Sequence, residues 1–403
     1  MATTQHLLLS PAELAYLHST LSLHPPIRPD GRTASQFRPL TAETGILPGT
    51  NGSARICFAD GTEAIVGVKA EVERTRISPY EDANGNMRDG GSSSSSRTER
   101  NTSSKSGEAK DDEDQEAAET EENDTVKIKG SKDWVEVSVE VPGYRDDDSA
   151  TVFLSTMLSE ALLADGEFTR RLWINRRFHW KMYLDVILIS PPLSYPLPLL
   201  SLTTHLAILS TRLPRLKSEA DEDPMFDDDW DASKYIYPRT GSESRSTSMP
   251  PITLLVMVVG DNIIFDPSKE ELAVADTALA VSVGEGQVQQ DKNNDAAMDV
   301  DDKSQPSRKL RLLSVRMIDP PSRLTPPGVP NSVNASAWGQ GGGSAAQKNP
   351  DARQAETADV AGVWKAPRGG IKPAVLSAMV AKVLEKGGVA DEVLDGLDGV
   401  ELS

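Results

Sequence analysis

Cysteine, aromatic residues and long apolar runs are scarce in this sequence. The 403-residue chain has one cysteine, Cys57, and only 5% aromatic residues. A single cysteine excludes an internal disulfide and any zinc site built from several cysteines. The longest apolar run, residues 252–260, is far too short to cross a bilayer. Because the first residues also lack the basic stretch and apolar run of a secretory signal, we expect a soluble intracellular protein.

The common catalytic and metal-binding motifs are absent as well. The five histidines are scattered, and the sequence contains no HExxH, no GxSxG and no P-loop. His205 falls among apolar residues of a predicted helix, which is more typical of the edge of a core than of a general base. The sequence therefore predicts no resident metal or cofactor.

Basic residues are outnumbered, but the excess of acids is confined to two segments. The net charge is −19, and residues 107–124 and 219–231 carry −9 and −8 of it. The rest of the chain is close to neutral, which leaves room for local basic surfaces. The acids at 219–231 fit no EF-hand spacing, so we interpret this segment as a solvated loop that docks onto a basic neighbour.

Hydrophobic periodicity predicts an α+β body of mixed or antiparallel sheets with helices packed on them. A helix begins after Ser10 with a capping box completed by Glu13. Residues 201–213 have leucines at helical spacing and predict a second helix, which includes Leu213. The segment FHWKMYLDVILI, 178–189, is continuously apolar in its second half, so we expect a strand buried there on both faces.

Polar tracts divide the chain into segments. We assign an N-terminal helix to residues 1–26 and a body to residues 27–330. A flexible linker is assigned to residues 331–366, and a C-terminal helix that packs on the body to residues 367–403. Long disordered insertions are predicted within the body at about 78–130, 239–250 and 284–308. The first insertion falls between strands that we expect to be neighbours. The C-terminal helix is expected to end at Gly387.

An arginine-rich turn, IRPDGRTASQFRPL at 27–40, leads into a predicted hairpin. From its chemistry alone the turn could bind phosphates, or its arginines could bridge to acids of a partner protein. The second interpretation fits the chemistry slightly better.

The residues of this turn and hairpin resemble the ribonuclease PH family. RPDGR is followed by FRP, then NGSA, then VGVKAEV. Three later stretches resemble one branch of that family, the ring subunits of the eukaryotic RNA exosome: LSLTTHLAILSTRLPRL, DDDWDASKYIYP and VVGDNIIFDPSKEELAVADTALAVSV. The resemblance covers nearly all of the chain outside the polar insertions. It implies the ribonuclease PH-like fold, of the ribosomal protein S5 domain 2-like type, in which mixed sheets pack with helices.

The resemblance also implies that the phosphate site of the family is degenerate here. Active members hold phosphate in a GGTRTAS-type loop at the mouth of a helix. Laid on that loop, Ser201 matches its end, whereas Leu197 and Pro198 replace the threonine and the arginine. Each charge-assisted hydrogen bond to phosphate is worth roughly 1.5–3 kcal/mol, so a site without several of them would no longer bind it.

The acidic half of the family's site is altered in the same way. Active members carry two aspartates six residues apart, and Leu272 and Ala278 occupy those positions. Four acids lie nearby and leave a shifted arrangement open: Asp266, Glu270, Glu271 and Asp276. The resemblance therefore implies a chain that is not an enzyme, and a phosphorolytic 3′→5′ exoribonuclease that uses Asp266 or Asp276 is the alternative.

A structural subunit of the exosome ring is the function that the resemblance implies. Such a subunit supports 3′→5′ RNA processing and decay, including rRNA maturation and mRNA turnover. The implied partners are other ring subunits (closest the forty-one type), an RNA-binding cap protein, an associated hydrolytic exoribonuclease and single-stranded RNA, with no membrane. The implied localisation is nucleus, nucleolus and cytoplasm. A free adaptor that binds basic proteins through the acidic tracts is a further alternative.

Basic and aromatic residues alternate in TRRLWINRRFHWK, residues 169–181. Such surfaces suit single-stranded RNA through backbone charge and stacking. The RNA-contact candidates are Arg176 and Arg177, with Arg74 and Arg76 as weaker ones. In the other interpretation the tryptophans are core and the arginines bridge to a neighbouring subunit. We favour that interpretation for Arg170, Arg171, Lys181, Trp173 and Trp180, and both remain open for Arg176 and Arg177.

Overall fold

The structure of the chain is a computed structural model. It describes residues 9–75, 130–145, 147–190, 192–219, 222–238, 249–286, 309–320, 322, 363–367 and 369–402. Apart from a few residues at their ends, the insertions predicted at 78–130, 239–250 and 284–308 and the linker at 331–366 lie outside these ranges. Every helix within the described ranges falls short of the length and apolarity needed to span a bilayer.

A five-stranded sheet forms from the first half of the chain. Its strands are β1 (Leu40–Thr44), β2 (Gly52–Phe58), β3 (Glu63–Arg74), β4 (Val135–Glu140) and β5 (Phe178–Leu188). They lie in the order β1-β2-β3-β5-β4, and only β4 and β5 are parallel, so the sheet is mixed. We expected the strands on either side of the first insertion to be neighbours. They are β3 and β4, and β5 lies between them, so this expectation was wrong.

A four-stranded antiparallel sheet forms from the second half. Its strands are β8 (Ile252–Val259), β9 (Asn262–Phe265), β10 (Thr277–Glu285) and β11 (Leu310–Ile318), in the order β11-β10-β8-β9, and a short pair, β6 (Arg212–Leu213) and β7 (Lys234–Tyr235), precedes them. Every residue of β8 is buried, and β10 is buried except at Glu285. Both faces at the centre of this sheet are therefore covered. Because β10 continues to Glu285, the insertion predicted from residue 284 begins later.

The described residues form seven α-helices. They are α1 (Pro11–Leu21), α2 (Ser149–Leu163), α3 (Glu167–Arg171), α4 (Leu197–Leu209), α5 (Lys269–Leu272), α6 (Pro373–Val383) and α7 (Val389–Asp398). The capping box predicted at Ser10 and Glu13 is present at the start of α1. We predicted one C-terminal helix, but α7 follows α6 and buries Val393, Leu394 and Leu397. The apolar residues of α7 recur at helical spacing, so this helix was missed although the sequence carries its signal.

Helix α4 lies between the two sheets. All thirteen of its residues are buried, and it contacts β2 and β3 on one side and β8 on the other. A helix without a polar face is stable only when it is surrounded by protein. The helix begins at Leu197, four residues before the predicted start, because a proline is tolerated in the first turn. It ends at Leu209, so placing Leu213 in it was wrong; Leu213 belongs to β6.

The second half of β5 is buried on one face only. Val186 and Leu188 point into the core and are 0% and 1% exposed. Asp185 and Ile187 alternate with them and are exposed. The prediction of burial on both faces was wrong for this single chain, because α2 and α4 cover only the inner face of the five-stranded sheet.

The arginine-rich turn at 27–40 ties the N-terminal segment to the second sheet. Arg28, 3% exposed, donates from Nε to Glu271 Oε1 at 2.7 Å and from Nη2 to Glu271 Oε2 at 2.8 Å. Its remaining hydrogen bonds go to main-chain carbonyls, including that of Phe265 at 3.1 Å. This bidentate pair is fully desolvated, and its polar atoms have partners.

Asp266 receives the other two arginines of the turn. Its carboxylate, 1% exposed, accepts from Arg32 Nη1 at 2.8 Å and from Arg38 Nη2 at 2.7 Å. Burial opposes the charge of Arg38, but its hydrogen bonds to Asp266 and Asp60 outweigh that effect and raise the pKa of the guanidinium. The arginines thus bridge to acids of the same chain, and our expectation of phosphates or a partner's acids was wrong.

Removing the charge of Glu271 should destabilise the fold strongly. Glu271→Gln leaves the buried Arg28 without its counter-charge, and we expect the free energy of unfolding to fall by about 3–5 kcal/mol. Glu160→Gln is the control, because Glu160 forms a comparable pair with Arg316 at the surface and should cost below about 1 kcal/mol. Urea denaturation of both variants measures the difference, and equal losses would contradict the assignment.

The same glycine-to-alanine change should have opposite effects at two sites. A Cβ added at Gly52 would lie 2.6 Å from the Cα of Thr211, so Gly52→Ala must force β2 away from the end of α4. We expect a loss of about 1–3 kcal/mol of stability. At Gly396, inside α7, nothing lies within 4 Å, and Gly396→Ala should stabilise by about 0.5–1 kcal/mol. Thermal unfolding compares them, and a neutral Gly52→Ala would refute the close approach.

Candidate functional site

The start of α4 is where the family resemblance places the phosphate loop. Leu197 and Pro198 form its first turn and are buried, and no side chain caps the helix after Pro196. The prolines lack backbone N–H groups and the leucine side chain has no polar atom, so this helix start offers an anion few donors. Burial raises the pKa of the neighbouring Tyr195 to about 12, so its phenol is neutral.

Ser201, one turn into the helix, makes a packing contact. Its hydroxyl oxygen accepts a hydrogen bond from the backbone N–H of Thr253 at 2.8 Å, and its side chain is 4% exposed. Thr253 in turn shares a hydrogen bond of 2.9 Å with Ser282 on β10. Ser201 therefore joins α4 to the second sheet in this structure.

The two positions aligned with the family's aspartates are both buried and apolar. Leu272 closes the short helix α5 and is 5% exposed. Ala278 lies on β10 opposite Met257 of β8 and is fully buried. Neither side chain can bind a metal ion or transfer a proton.

The acids near these positions make internal contacts. Asp266 and Glu271 accept hydrogen bonds from the arginine-rich turn, as described above. Asp276 accepts from a main-chain amide at 2.7 Å and lies 3.7 Å from His18 Nε2. Glu270 is half-buried on α5. In the described part of the chain, no three His, Cys, Asp or Glu side chains are grouped so that they could hold a metal ion.

Three of the four arginines predicted to contact RNA lie together at one end of the five-stranded sheet. These are Arg74, Arg176 and Arg177, which we call the arginine edge, and all three are exposed. The guanidinium groups of Arg74 and Arg177 lie 5.9 Å and 5.4 Å from the ring centroid of Phe178. Arg76 lies outside the described residues.

The acidic segment 219–231 meets the arginine edge. Asp223 Oδ1 is 3.0 Å from Arg177 Nη2, and Asn175 donates to the main-chain carbonyl of Glu222 at 2.9 Å. Another acid of the segment pairs with Lys217 at 2.9 Å. We expected this segment to dock onto a basic neighbour, and among the described residues it lies beside Arg177 and Lys217.

The tryptophans between the basic residues belong to the core. Trp180 is 8% exposed and its ring lies 4.9 Å from that of Phe226. Trp173 is half-buried and packs against the same core. They are not exposed platforms on which RNA bases could stack, which agrees with the structural interpretation of this segment.

The remaining bases of the segment also contact their own chain. The Arg171 guanidinium lies 4.3 Å from the ring centroid of Tyr237. Lys181 donates to a main-chain carbonyl at 2.6 Å. Arg170 is exposed and lies 3.8 Å from Glu167. These contacts lie within the chain, so the bridges that we expected from these basic residues to a neighbouring subunit stay a prediction.

Sequence reasoning did not anticipate the environment of His179 beside the arginine edge. Its ring stacks on Trp134 with centroids 4.4 Å apart, and Nδ1 lies 3.0 Å from the hydroxyl of Thr75. Burial lowers the pKa of His179, so the ring adds no positive charge to this surface at neutral pH.

A cleft that no motif pointed to lies on the other side of the acidic segment. It has a volume of about 240 Å³ and is lined by the glycine-rich loop 45–53 together with Ser210, Arg212 and Trp230. The guanidinium of Arg212 stacks on Tyr235 at 4.4 Å and donates to its hydroxyl. Aspartates flank Trp230 on both sides in the sequence, which disfavours a phosphate there.

Two curated proteins are similar to the chain in sequence. Exosome complex component RRP42 of Saccharomyces cerevisiae is 28% identical over 286 residues, which cover 70% of this chain and 83% of that protein. Exosome complex component rrp42 of Schizosaccharomyces pombe is 29% identical over 291 residues, which cover 68% and 78%. No family model matches the chain.

Two solved structures were also found by comparison. One is the Archaeoglobus fulgidus exosome with RNA bound to the active site, with a TM-score of 0.44 and 17% identity over 76% of this chain and 87% of that chain. The other is an archaeal exosome core, with a TM-score of 0.42 and 16% identity over 76% and 84%. Both sequence relatives are exosome components of the RRP42 type, and the chain is similar to them over 70% and 68% of its length.

Proposed function

We propose that this protein is a non-catalytic structural subunit of the RNA exosome ring. It would supply part of the channel wall and a docking surface for RNA that is processed or degraded 3′→5′, including rRNA precursors and mRNA. One observation supports the proposal that the subunit is not catalytic: apolar residues occupy both halves of the family's site. Leu197 and Pro198 occupy the phosphate-binding half, and Leu272 and Ala278 occupy the acidic half.

The hydrogen bonds of the polar side chains near the family's site support this proposal. Phosphorolysis needs donors around inorganic phosphate and carboxylates for a metal ion or a proton. Here the hydroxyl of Ser201 accepts a main-chain hydrogen bond, and the carboxylates of Asp266 and Glu271 balance buried arginines. Recruiting either acid for catalysis would leave an arginine charge unpaired in the core, at a cost of several kcal/mol.

The partners follow from the same assignment. We propose contacts with the other ring subunits, closest with the forty-one type, with an RNA-binding cap protein and with a hydrolytic exoribonuclease that performs the cleavage. The proposed localisation is nucleus, nucleolus and cytoplasm. The arginine edge is the proposed contact for single-stranded RNA, because its charges are exposed and grouped at one end of a rigid sheet.

Affinity purification of the full-length tagged chain, followed by native mass spectrometry and an activity assay, tests the function. We expect the chain in an assembly with other exosome subunits. Incubated with RNA and inorganic phosphate, both the assembly and the isolated chain should release no nucleoside diphosphates above background. An archaeal exosome with phosphorolytic activity serves as the positive control. Release that disappears in an Asp276→Asn variant would establish the enzymatic alternative instead.

The arginine edge should contribute to RNA affinity by neutralising phosphates. We expect the double variant Arg74→Ala/Arg177→Ala, in the assembled complex, to bind single-stranded RNA several-fold more weakly. The slope of log affinity against log salt should fall by about 0.7 for each phosphate that the variant no longer neutralises. Arg316→Ala is the control, because Arg316 is as exposed as Arg177, both 52%, and is likewise paired with an acid. An unchanged slope in the double variant would show that the arginine edge does not contact the RNA.

A further inference from the structure

The outer face of the five-stranded sheet carries a group of isoleucine side chains, of which Ile187 and Ile189 are exposed and Ile65 is half-buried. Ile65 on β3 lies directly opposite Ile187 on β5. Two residue pairs further along, and so on the same face, the backbone N–H of Ile189 donates to the carbonyl oxygen of Glu63. Glu63 pairs in turn with Cys57 on β2. Ile65, Ile187, Ile189 and Cys57 therefore lie on one face, with Glu63 between Ile189 and Cys57, and we call this surface the outer patch.

This surface is more apolar than a solvated sheet face should be. Ile187 and Ile189 are 39% and 46% exposed, whereas their inward neighbours Val186 and Leu188 are buried. An antiparallel or mixed sheet with one solvated face normally alternates apolar and polar residues. The run Val186–Ile189 does not alternate, so its sequence is that of a strand covered on both sides.

Part of the outer face is already covered by the chain itself. The loop before β2 lies over Gly67, where an added Cβ would be 3.1 Å from Leu47 Cδ1 and 3.7 Å from Thr50 Cγ2. The cover stops short of Ile187, which remains exposed. The outer patch is thus the uncovered remainder of a face that is built to be buried.

Acidic side chains border the outer patch. Glu140 on β4 lies opposite Ile187, and Asp185 precedes Ile187 on the same face. Neither carboxylate is within ion-pair distance of a basic side chain in the described part of the chain. On the other side Arg55 is neutralised by Glu63 at 2.5 Å. The border is therefore net negative, and a second copy of this chain would bring carboxylates against carboxylates.

We propose that the outer patch is a docking surface for a neighbouring, different subunit of the exosome ring. The partner's surface would present aliphatic side chains at its centre and Lys or Arg side chains at its border. This inference rests on the proposed function, because it takes the partner from the ring. It adds which face of the chain is used and what chemistry the neighbour must offer.

Cys57, the chain's single cysteine, reports directly on this surface. It lies half-buried at the edge of the outer patch, so a thiol-reactive reagent modifies one known site. We expect its labelling in the affinity-purified assembly to be at least about tenfold slower than in the isolated full-length chain. Labelling in denaturant gives the maximal extent for both samples.

Threonine substitutions test the energetic contribution of the patch. Ile187→Thr and Ile189→Thr keep the β-branched shape that suits a strand but remove apolar surface. We expect the double variant to associate with the other ring subunits about fivefold or more weakly, as for a residue at the centre of an interface. Val72→Thr is the control, because Val72 is 37% exposed on the opposite face of the same sheet. Thermal unfolding of the isolated variants verifies that each remains folded.

The outcomes separate this inference from the proposed function. If the chain co-purifies with exosome subunits but Cys57 labels at the same rate in both samples, the docking surface is refuted and the proposed function stands. Protection of Cys57 that rises with the concentration of the isolated chain would mean a second copy as occupant and would also refute it. If the chain is recovered without any exosome subunit, both the proposed function and the proposed docking surface are refuted.

Discussion

Every side chain of helix α4 is buried between two sheets, and the rest of the architecture depends on this placement. Its thirteen residues include no Asp, Glu, Lys or Arg, so the helix has no charged face that would turn toward water. The two sheets are held apart and joined by this helix together with α2. The same constraint bears on function, because a helix start that is packed with leucine and proline cannot also hold a solvated anion.

Much of the body could be predicted from the sequence where the signals are local. The capping box of α1, the hairpin around residues 60–61 and the apolar strands of the second sheet each depend on residues close together in the chain. The patterns left a mixed or an antiparallel sheet open, and the family resemblance implied mixed sheets. Helix α7 was missed although its apolar residues recur at helical spacing, and the helical pattern was extended too far at Leu213, where the chain changes to a strand.

The candidate site divides in the same way. Aligning motifs assigned Leu197, Pro198, Leu272 and Ala278 to the family's site positions, and all four are buried in the structure. The partners of the arginine-rich turn could not be predicted from the sequence, because Arg28 and Glu271 are 243 positions apart and no local pattern links them. Likewise, only the three-dimensional register brings Arg74 next to Phe178 and so to Arg177.

The distribution of charge explains why a chain with a net charge of −19 can still present cations. Arginine charges in the core are cancelled by Asp266 and Glu271, whereas those of the arginine edge remain at the surface beside the acidic segment. Near that edge, burial keeps His179 neutral, so the local field is set by arginines and carboxylates alone. Global charge is therefore a poor guide to what this surface meets.

The separation between the arginine-rich turn and its carboxylates has a consequence for biosynthesis. The guanidinium groups at 28, 32 and 38 emerge from the ribosome early, but the acids at 266 and 271 are made more than 220 residues later. Throughout that interval the nascent N-terminus cannot lock onto its final position, so the native tertiary structure closes only near the end of translation. A chain that terminates before residue 266 would lack both of the buried carboxylates that these three arginines contact in the folded protein.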